Sequence, residues 1–308
     1  MSALRQALVD YLAMRRVLGY KLARAEKLLA QYLIYLEERD ENRLTIETAL
    51  AWAALPAGAS RDWISYRLAV IRPFAVHLHG IDPATEVPPA DLLPRRSCRA
   101  TPYLYSEEDL AALMTAATTL RNSHRVATYQ TLIALLAVTG MRVGEAIGVD
   151  RDDFDKINGV LTIRNGKFSK SRELPLRPSS VTGLTNYLHR TDRPPRRRGT
   201  SALFVSTVGT RLLYCNVQNT FQRLVRSAEL KSRSASCRPR LHDIRHGFAI
   251  RTLLDAYRDD ADPGPRLALL STYLGHVDPG KTYWYLSAAP ELLELAGARL
   301  ERYLGGNA

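Results

Sequence analysis

The stretch Thr139-Gly140-Met141-Arg142-Val143-Gly144-Glu145-Ala146 reads as the end of one apolar helix and the start of another, with a glycine turn between them. Glycine just past a helical pattern supplies the left-handed residue that stops it. The turn sets Arg142 at the N-terminus of the next helix, where unpaired N–H groups already welcome an anion. Upstream, Ser106-Glu107-Glu108-Asp109 is a helix cap with acids in its first turn, and helical periodicity runs over 107–119 and 123–138. Downstream, Gly159-Val160-Leu161-Thr162-Ile163-Arg164, the Asn165-Gly166 turn and Arg172-Glu173-Leu174-Pro175-Leu176 predict a β-hairpin whose loop carries Lys167 and Lys170. Further helices are expected at 180–189, 215–228, 242–256, 265–274 and 290–303. This part of the chain is therefore mainly α with a small β-sheet.

Ahead of it, four helices are expected within about 80 residues, over 2–18, 23–38, 45–52 and 61–79, ended by Gly19, by Pro56-Ala57-Gly58 and by Gly80. Prolines at 83, 88, 89, 94 and 102 then deny the chain regular structure, and Arg95, Arg96 and Arg99 lie among them. The organisation expected is a helical domain over 1–82, a proline- and arginine-rich linker over 83–102, and a mixed domain with a C-terminal helix over 103–308.

Composition narrows the class. The 308 residues are 46% hydrophobic and 24% charged, which excludes disordered, collagenous and disulfide-framework chains. No segment reaches the ~18 apolar residues of a membrane span, and the N-terminus lacks the layout of a signal peptide. Three cysteines without a CxxC pair suggest reduced thiols in a cytoplasmic protein and offer no structural zinc site. The charge is the informative quantity: net +12, with Arg164 to Arg258 alone holding 20 basic and 5 acidic residues. A field concentrated in this way attracts a polyanion, nucleic acid first among them, whereas the same residues spread evenly would be a solvated surface.

Four segments concentrate residues able to hold a phosphate: the turn with Arg142, the hairpin loop with Lys167, His242-Asp243-Ile244-Arg245-His246, and Leu274-Gly275-His276 followed nine residues later by Tyr285. Each alone has an ordinary structural explanation as a surface ion pair, a packed aromatic or a solvated turn. In their joint order over residues 101–289, Arg…Lys…His-x-x-Arg…His…Tyr, the sequence resembles the tyrosine recombinase, or phage integrase, family. Thr101-Pro102-Tyr103-Leu104-Tyr105-Ser106 is similar to the start of that family's catalytic domain.

The resemblance implies a SAM-like helical core-binding domain followed by an α+β catalytic domain. It implies Arg142 and Arg245 as phosphate-clamping arginines, Lys167 as the hairpin lysine, His242 and His276 as the two histidine positions and Tyr285 as nucleophile, with Glu145 in support. Lys170 is the alternative lysine and Tyr283 the alternative tyrosine. Arg95, Arg96, Arg99, Arg164, Lys170, Arg172 and Arg240 are further candidates for DNA contact. The chemistry suits these residue types. A phosphodiester needs preorganised positive donors where charge grows, and two guanidiniums can each give paired N–H bonds. A tyrosine hydroxyl with pKa ~10 needs a base, here His242, and the leaving 5′-oxygen needs an acid.

A phosphotyrosyl bond conserves the energy of the broken linkage, so neither a cofactor nor a metal is expected, and no phosphate-binding glycine loop or carboxylate triad is present in the sequence. The function expected is site-specific DNA recombination in a mobile element, by integration, excision or transposition. A type IB-like topoisomerase and a catalytically silent DNA-binding regulator are the alternatives. The partners expected are double-stranded DNA with inverted-repeat half-sites and further copies of the chain as a tetramer on it, with partner recombinases also possible. No membrane is involved, and the place of action is the nucleoid. The terminal amphipathic helix could dock on its own domain or on a neighbouring copy.

Overall fold

The computed structural model describes all residues except 1, 94–100, 165–170, 196, 198, 259–262, 277, 279, 281, 284, 286–289 and 306–308, with the backbone alone at 263, 290, 299–300 and 302–305. The chain divides into two compact units, Met1–Arg99 and Ala100–Ala308.

The first unit is four helices: α1 (Ala3–Val17), α2 (Ala23–Glu37), α3 (Ile46–Ala54) and α4 (Arg61–His79). Ser2, Thr45 and Ser60 each cap a following helix through their hydroxyl, and Thr45 with Thr48 forms a reciprocal capping box. Tyr32, Leu29, Leu33, Leu36, Leu44, Trp52, Leu68, Ile71 and Phe74 fill the core. The buried Arg67 lays its guanidinium 3.5 Å from the centre of the Trp52 ring, so its charge is met by a π-face. Residues 86–93, within the expected linker, pack on the first unit. Glu86 donates its N–H to the Leu44 carbonyl (3.1 Å) and accepts from the Ile46 N–H (2.7 Å), and Arg72 bonds the carbonyls of Pro88 and Pro89. Val87, Leu92 and Leu93 pack on the same core. Proline removes donors but leaves its carbonyls as acceptors, and an arginine on α4 uses two of them.

The second unit holds α5 (Glu107–Ala117), α6 (Ser123–Thr139), α7 (Val143–Gly148), β1 (Phe154–Asp155), β2 (Val160–Ile163), β3 (Arg172–Pro175), α8 (Pro178–Leu188), α9 (Tyr214–Ser227), α10 (Asp243–Arg258), α11 (Pro263–Leu274) and α12 (Pro290–Gly305). The strands form an antiparallel sheet in the order β1-β2-β3, with Leu161 opposite both Phe154 and Leu174 and Ile163 opposite Arg172. The hairpin thus gains a third strand that two residues were too few to announce. Helix α10 runs through the centre. Ile244, Gly247, Ala249, Ile250, Leu253, Leu254 and Ala256 are buried along it, and it packs on α6, α11 and α12. A helix surrounded on most sides can hold charged residues only where a neighbour supplies their partners.

The terminal helix packs on its own unit. Leu292 is buried among Leu253, Leu254, Leu267 and Tyr285, and Arg258 at the end of α10 pairs with Glu291. No helix among the described residues is long and apolar enough to cross a membrane.

Candidate active site

The C-terminal end of α11 organises the site. Gly275, at φ +66°, closes the helix, with its own N–H on the Thr272 carbonyl (2.9 Å) and the His276 N–H on the Ser271 carbonyl (3.0 Å). This paired glycine cap leaves the next three carbonyls pointing out of the helix. Each receives a different arginine: Arg172 Nε donates to Tyr273 O (2.8 Å), Arg245 Nη2 to Leu274 O (2.8 Å) and Arg142 Nη2 to Gly275 O (3.2 Å). A helix C-terminus carries partial negative charge, which offsets part of the repulsion among the three cations gathered there.

Arg245, on the first turn of α10, is 3% exposed. Its other amino group donates to Gly140 O (2.8 Å), so one guanidinium ties the C-terminal ends of α6 and α11 together. Gly140 stands at φ +60°, and a Cβ there would lie 2.3 Å from the Phe248 ring, so glycine is required twice over. Burial first, and the Arg142 charge second, lower the Arg245 pKa to about 10, which leaves it cationic at neutral pH.

Arg142 is the N-cap residue of α7, and its guanidinium is 24% exposed, the more accessible of the two clamp candidates. Glu145 holds it from one turn on, accepting from Arg142 Nη1 (2.7 Å) and from the Arg142 backbone N–H (2.8 Å). The same buried carboxylate accepts two bonds from Arg172 on β3 (2.8 and 3.2 Å). Burial by itself would raise the Glu145 pKa, but the bonds and charges of Arg172 and Arg142 hold it at about 2.

His276 and Tyr285 complete the cluster. His276 Nε2 lies 3.0 Å from Arg245 Nη2, and its Nδ1 lies 2.6 Å from the Thr282 hydroxyl. The Tyr285 ring is stacked near that of His276 (centroids 6.2 Å apart) and tilted against that of His246 (5.4 Å). Tyr285 is 2% exposed, whereas Tyr283 is 58% exposed. His242 sits one residue before α10 and is exposed, its ring edge-on to that of His246 at 4.8 Å. Spacing predicts His242 and Arg245 on one face of a helix; instead His242 precedes the first turn, and Arg245 turns inward to the carbonyls.

The structure therefore brings Arg142, Glu145, Arg245, His276 and Tyr285 into one network, with His242 at its edge. Lys167 and Lys170 lie outside the described residues, as do Arg95, Arg96 and Arg99. Of the other basic candidates, Arg164 is exposed and paired with Asp153. Arg240 is bound to Asp243 (3.0 Å) and to the Thr101 carbonyl (3.2 Å). Arg172 is only 15% exposed and spends its guanidinium on Glu145 and α11, which makes it a support of Glu145 and not a surface group.

Sequence reasoning gave no role to His246 or Thr282. His246 could have been found from its place one turn after His242. No local signal pointed to Thr282. Among the described residues, no group of three His, Cys, Asp or Glu side chains is gathered to hold a metal ion.

The chain matches the model of the phage integrase family over residues 104–291. It is 43% identical over 308 residues to y4rB of Sinorhizobium fredii, a protein named as an integrase/recombinase, with 98% of each chain covered. It is 29% identical to the tyrosine recombinase XerC of Alcanivorax borkumensis, over 74% of this chain and 69% of that one. Among solved structures, the Tn1549 transposon integrase in complex with a circular intermediate DNA aligns at a TM-score of 0.67 and 16% identity, covering 98% of this chain and 100% of that one. The recombinase XerH bound to its difH substrate aligns at a TM-score of 0.58 and 19% identity over 84% of this chain and 73% of that one. At these identities the structural likeness speaks for the fold.

Proposed function

Because the chain belongs to the phage integrase family of tyrosine recombinases, we propose that it cuts and rejoins DNA strands at specific sites through a 3′-phosphotyrosyl intermediate, moving a mobile element. The observation that carries this reading is the meeting of Arg245, His276 and Tyr285 at the end of α11, with Arg142 held beside them by Glu145. A tyrosine beside an imidazole and within the field of Arg245 suits attack on a phosphodiester, because cations there would meet the negative charge that the pentavalent transition state gathers.

In the step proposed, the Tyr285 hydroxyl oxygen bonds to phosphorus as the bond from phosphorus to the 5′-oxygen breaks. The phenolic proton passes to His242. The leaving oxygen takes a proton from Lys167, or from Lys170 of the same loop. His276 donates to a non-bridging oxygen and is itself oriented by Thr282. Reversal by a 5′-hydroxyl from another duplex completes strand exchange and needs no external energy source. The assembly proposed is a tetramer on paired inverted-repeat half-sites.

The test is covalent trapping. Wild-type protein and Tyr285→Phe are incubated in EDTA with DNA from the ends of the element that encodes the chain, then separated on a denaturing gel. The expected result is a protease-sensitive retarded band with wild type alone. A band that survives in Tyr285→Phe would transfer the role to Tyr283. If neither protein gives a band although both bind a defined site on a native gel, the chain is a DNA-binding regulator or an enzyme that needs a partner recombinase. Relaxation of a supercoiled plasmid that lacks a recombination site would instead favour a topoisomerase.

A further inference from the structure

A second basic site lies in the same unit, apart from the tyrosine. The N-terminal turns of α6 and α9 and the loop before α9 enclose a cavity of about 450 Å³. Arg125, Arg211 and Arg223 line it together with Asn216, Asn219 and Thr220, and no carboxylate is among its lining residues. Arg211 is bound to Asp150 and to the carbonyls of Ile147 and Val149, which fixes its position. Arg125 donates to the Thr220 hydroxyl (2.9 Å), and among the described residues neither Arg125 nor Arg223 forms a salt bridge. Helix α9 begins without a side-chain cap, so the N–H groups of its first turn add to the positive field.

The size is that of a nucleotide-sized ligand site; Val205, Val208, Leu212 and Leu213 form the apolar part of its wall, and the three guanidiniums with the Asn216 and Asn219 amides form the polar part. Such a wall selects a phosphate. The position selects its source. Arg211 grips the C-terminal end of α7, and Arg142 caps the N-terminal end of the same six-residue helix, about 9 Å away at 1.5 Å per residue. A duplex carries a phosphate every ~3.4 Å of rise on each strand, so one lying against Arg142 has further phosphates within that distance.

We infer that this cavity binds a backbone phosphate of the DNA duplex flanking the reacting one, and so fixes the register of the cut strand in the active site. The inference rests on the DNA-acting reading above and adds to it a site remote from the tyrosine. Being a backbone contact, it positions the duplex without reading its sequence.

The test is the salt dependence of binding to a labelled mixed-sequence duplex, with full-length protein. Each phosphate contact contributes about −0.9 to the slope of log K against log salt. Arg223→Gln is expected to make the slope shallower by about 1, and Arg125→Gln/Arg223→Gln by no more than that, since the two guanidiniums serve one phosphate. Arg226→Gln removes the same charge from the same helix outside the cavity and is expected to keep the wild-type slope; circular dichroism checks that each variant is folded. An Arg223→Gln slope equal to that of wild type, or an equal loss in Arg226→Gln, overturns the inference while leaving the recombinase reading intact. Wild type that binds no duplex overturns both. Deoxyadenosine monophosphate is the second probe. If it gives a saturable thermal stabilisation that Arg223→Gln abolishes, while the salt slopes stay equal, the cavity belongs to a free nucleotide and the inference fails.

Discussion

Glu145 shows how much one side chain can carry. It is the only described carboxylate that bonds both Arg142 and Arg172, and without it two cations would face each other across α7 and β3. Removing one partner of a buried ion pair costs about 3 kcal/mol or more, because a charge is left uncompensated. Glu145→Gln is therefore expected to lose about 3 kcal/mol at neutral pH, measured by denaturant unfolding. Its folded pKa of about 2 lies below the ordinary value of 4.5, so its stabilisation is complete above that ordinary value and fades as pH falls toward the folded one. The difference between wild type and Glu145→Gln should thus narrow as pH drops from 4.5 toward 2. A difference that stays constant across that window would show the carboxylate to be a packing element and not an electrostatic one. At this scale the sequence was partly legible. Glu145, three residues after Arg142, is marked as a support by the family resemblance, but Arg172 lies 27 residues away from Glu145 and carries no mark of its partner.

At the scale of elements, the site is made by helix ends. Gly140 and Gly275 terminate α6 and α11 in left-handed conformations, and the carbonyls beside them take Arg245 and Arg142. Both glycines stand at places where a helical pattern stops, so the stops could be read in advance; that their carbonyls would face arginines could not. Gly140→Ala is expected to destabilise the protein by about 2–4 kcal/mol, from backbone strain together with the clash on Phe248. Gly140→Ala/Phe248→Ala should remain less stable than Phe248→Ala alone by about 1 kcal/mol, the part due to backbone strain, as thermal unfolding would register. If Gly140→Ala is as stable as wild type, the turn is not the rigid support that Arg245 requires. The proline-rich stretch teaches the opposite lesson. Prolines at 83, 88 and 89 read as linker, yet Arg72 and Leu44 recruit that segment to the first unit through bonds that depend on tertiary placement.

For the whole molecule, the excess of basic residues between Arg164 and Arg258 is distributed unevenly once folded. Arg164, Arg172, Arg211 and Arg240 are each matched by a carboxylate, and Arg245 is sealed inside. A good part of the charge seen in the sequence is therefore structural. Duplex affinity should still fall steeply with salt, on the order of 10³-fold between about 50 and 200 mM if six or more phosphates are neutralised. Fluorescence anisotropy across that range would measure it, and a flat response would mean that the remaining basic residues do not face nucleic acid.

The amino-acid sequence by itself determined where helices start and stop, that the sheet is small, and the order of the chemistry-bearing residues. Those features depend on caps, glycines and periodicity within a few residues of chain, where local hydrogen bonding dominates. Only the tertiary structure decided which guanidinium meets which carbonyl, that Arg172 supports Glu145, and that Tyr285 is buried against His246 and His276 while Tyr283 is exposed. The reason is physical. A buried arginine finds its partners among groups that burial brings together, and three successive carbonyls at the end of α11 collect residues from three distant elements that share no spacing in the chain.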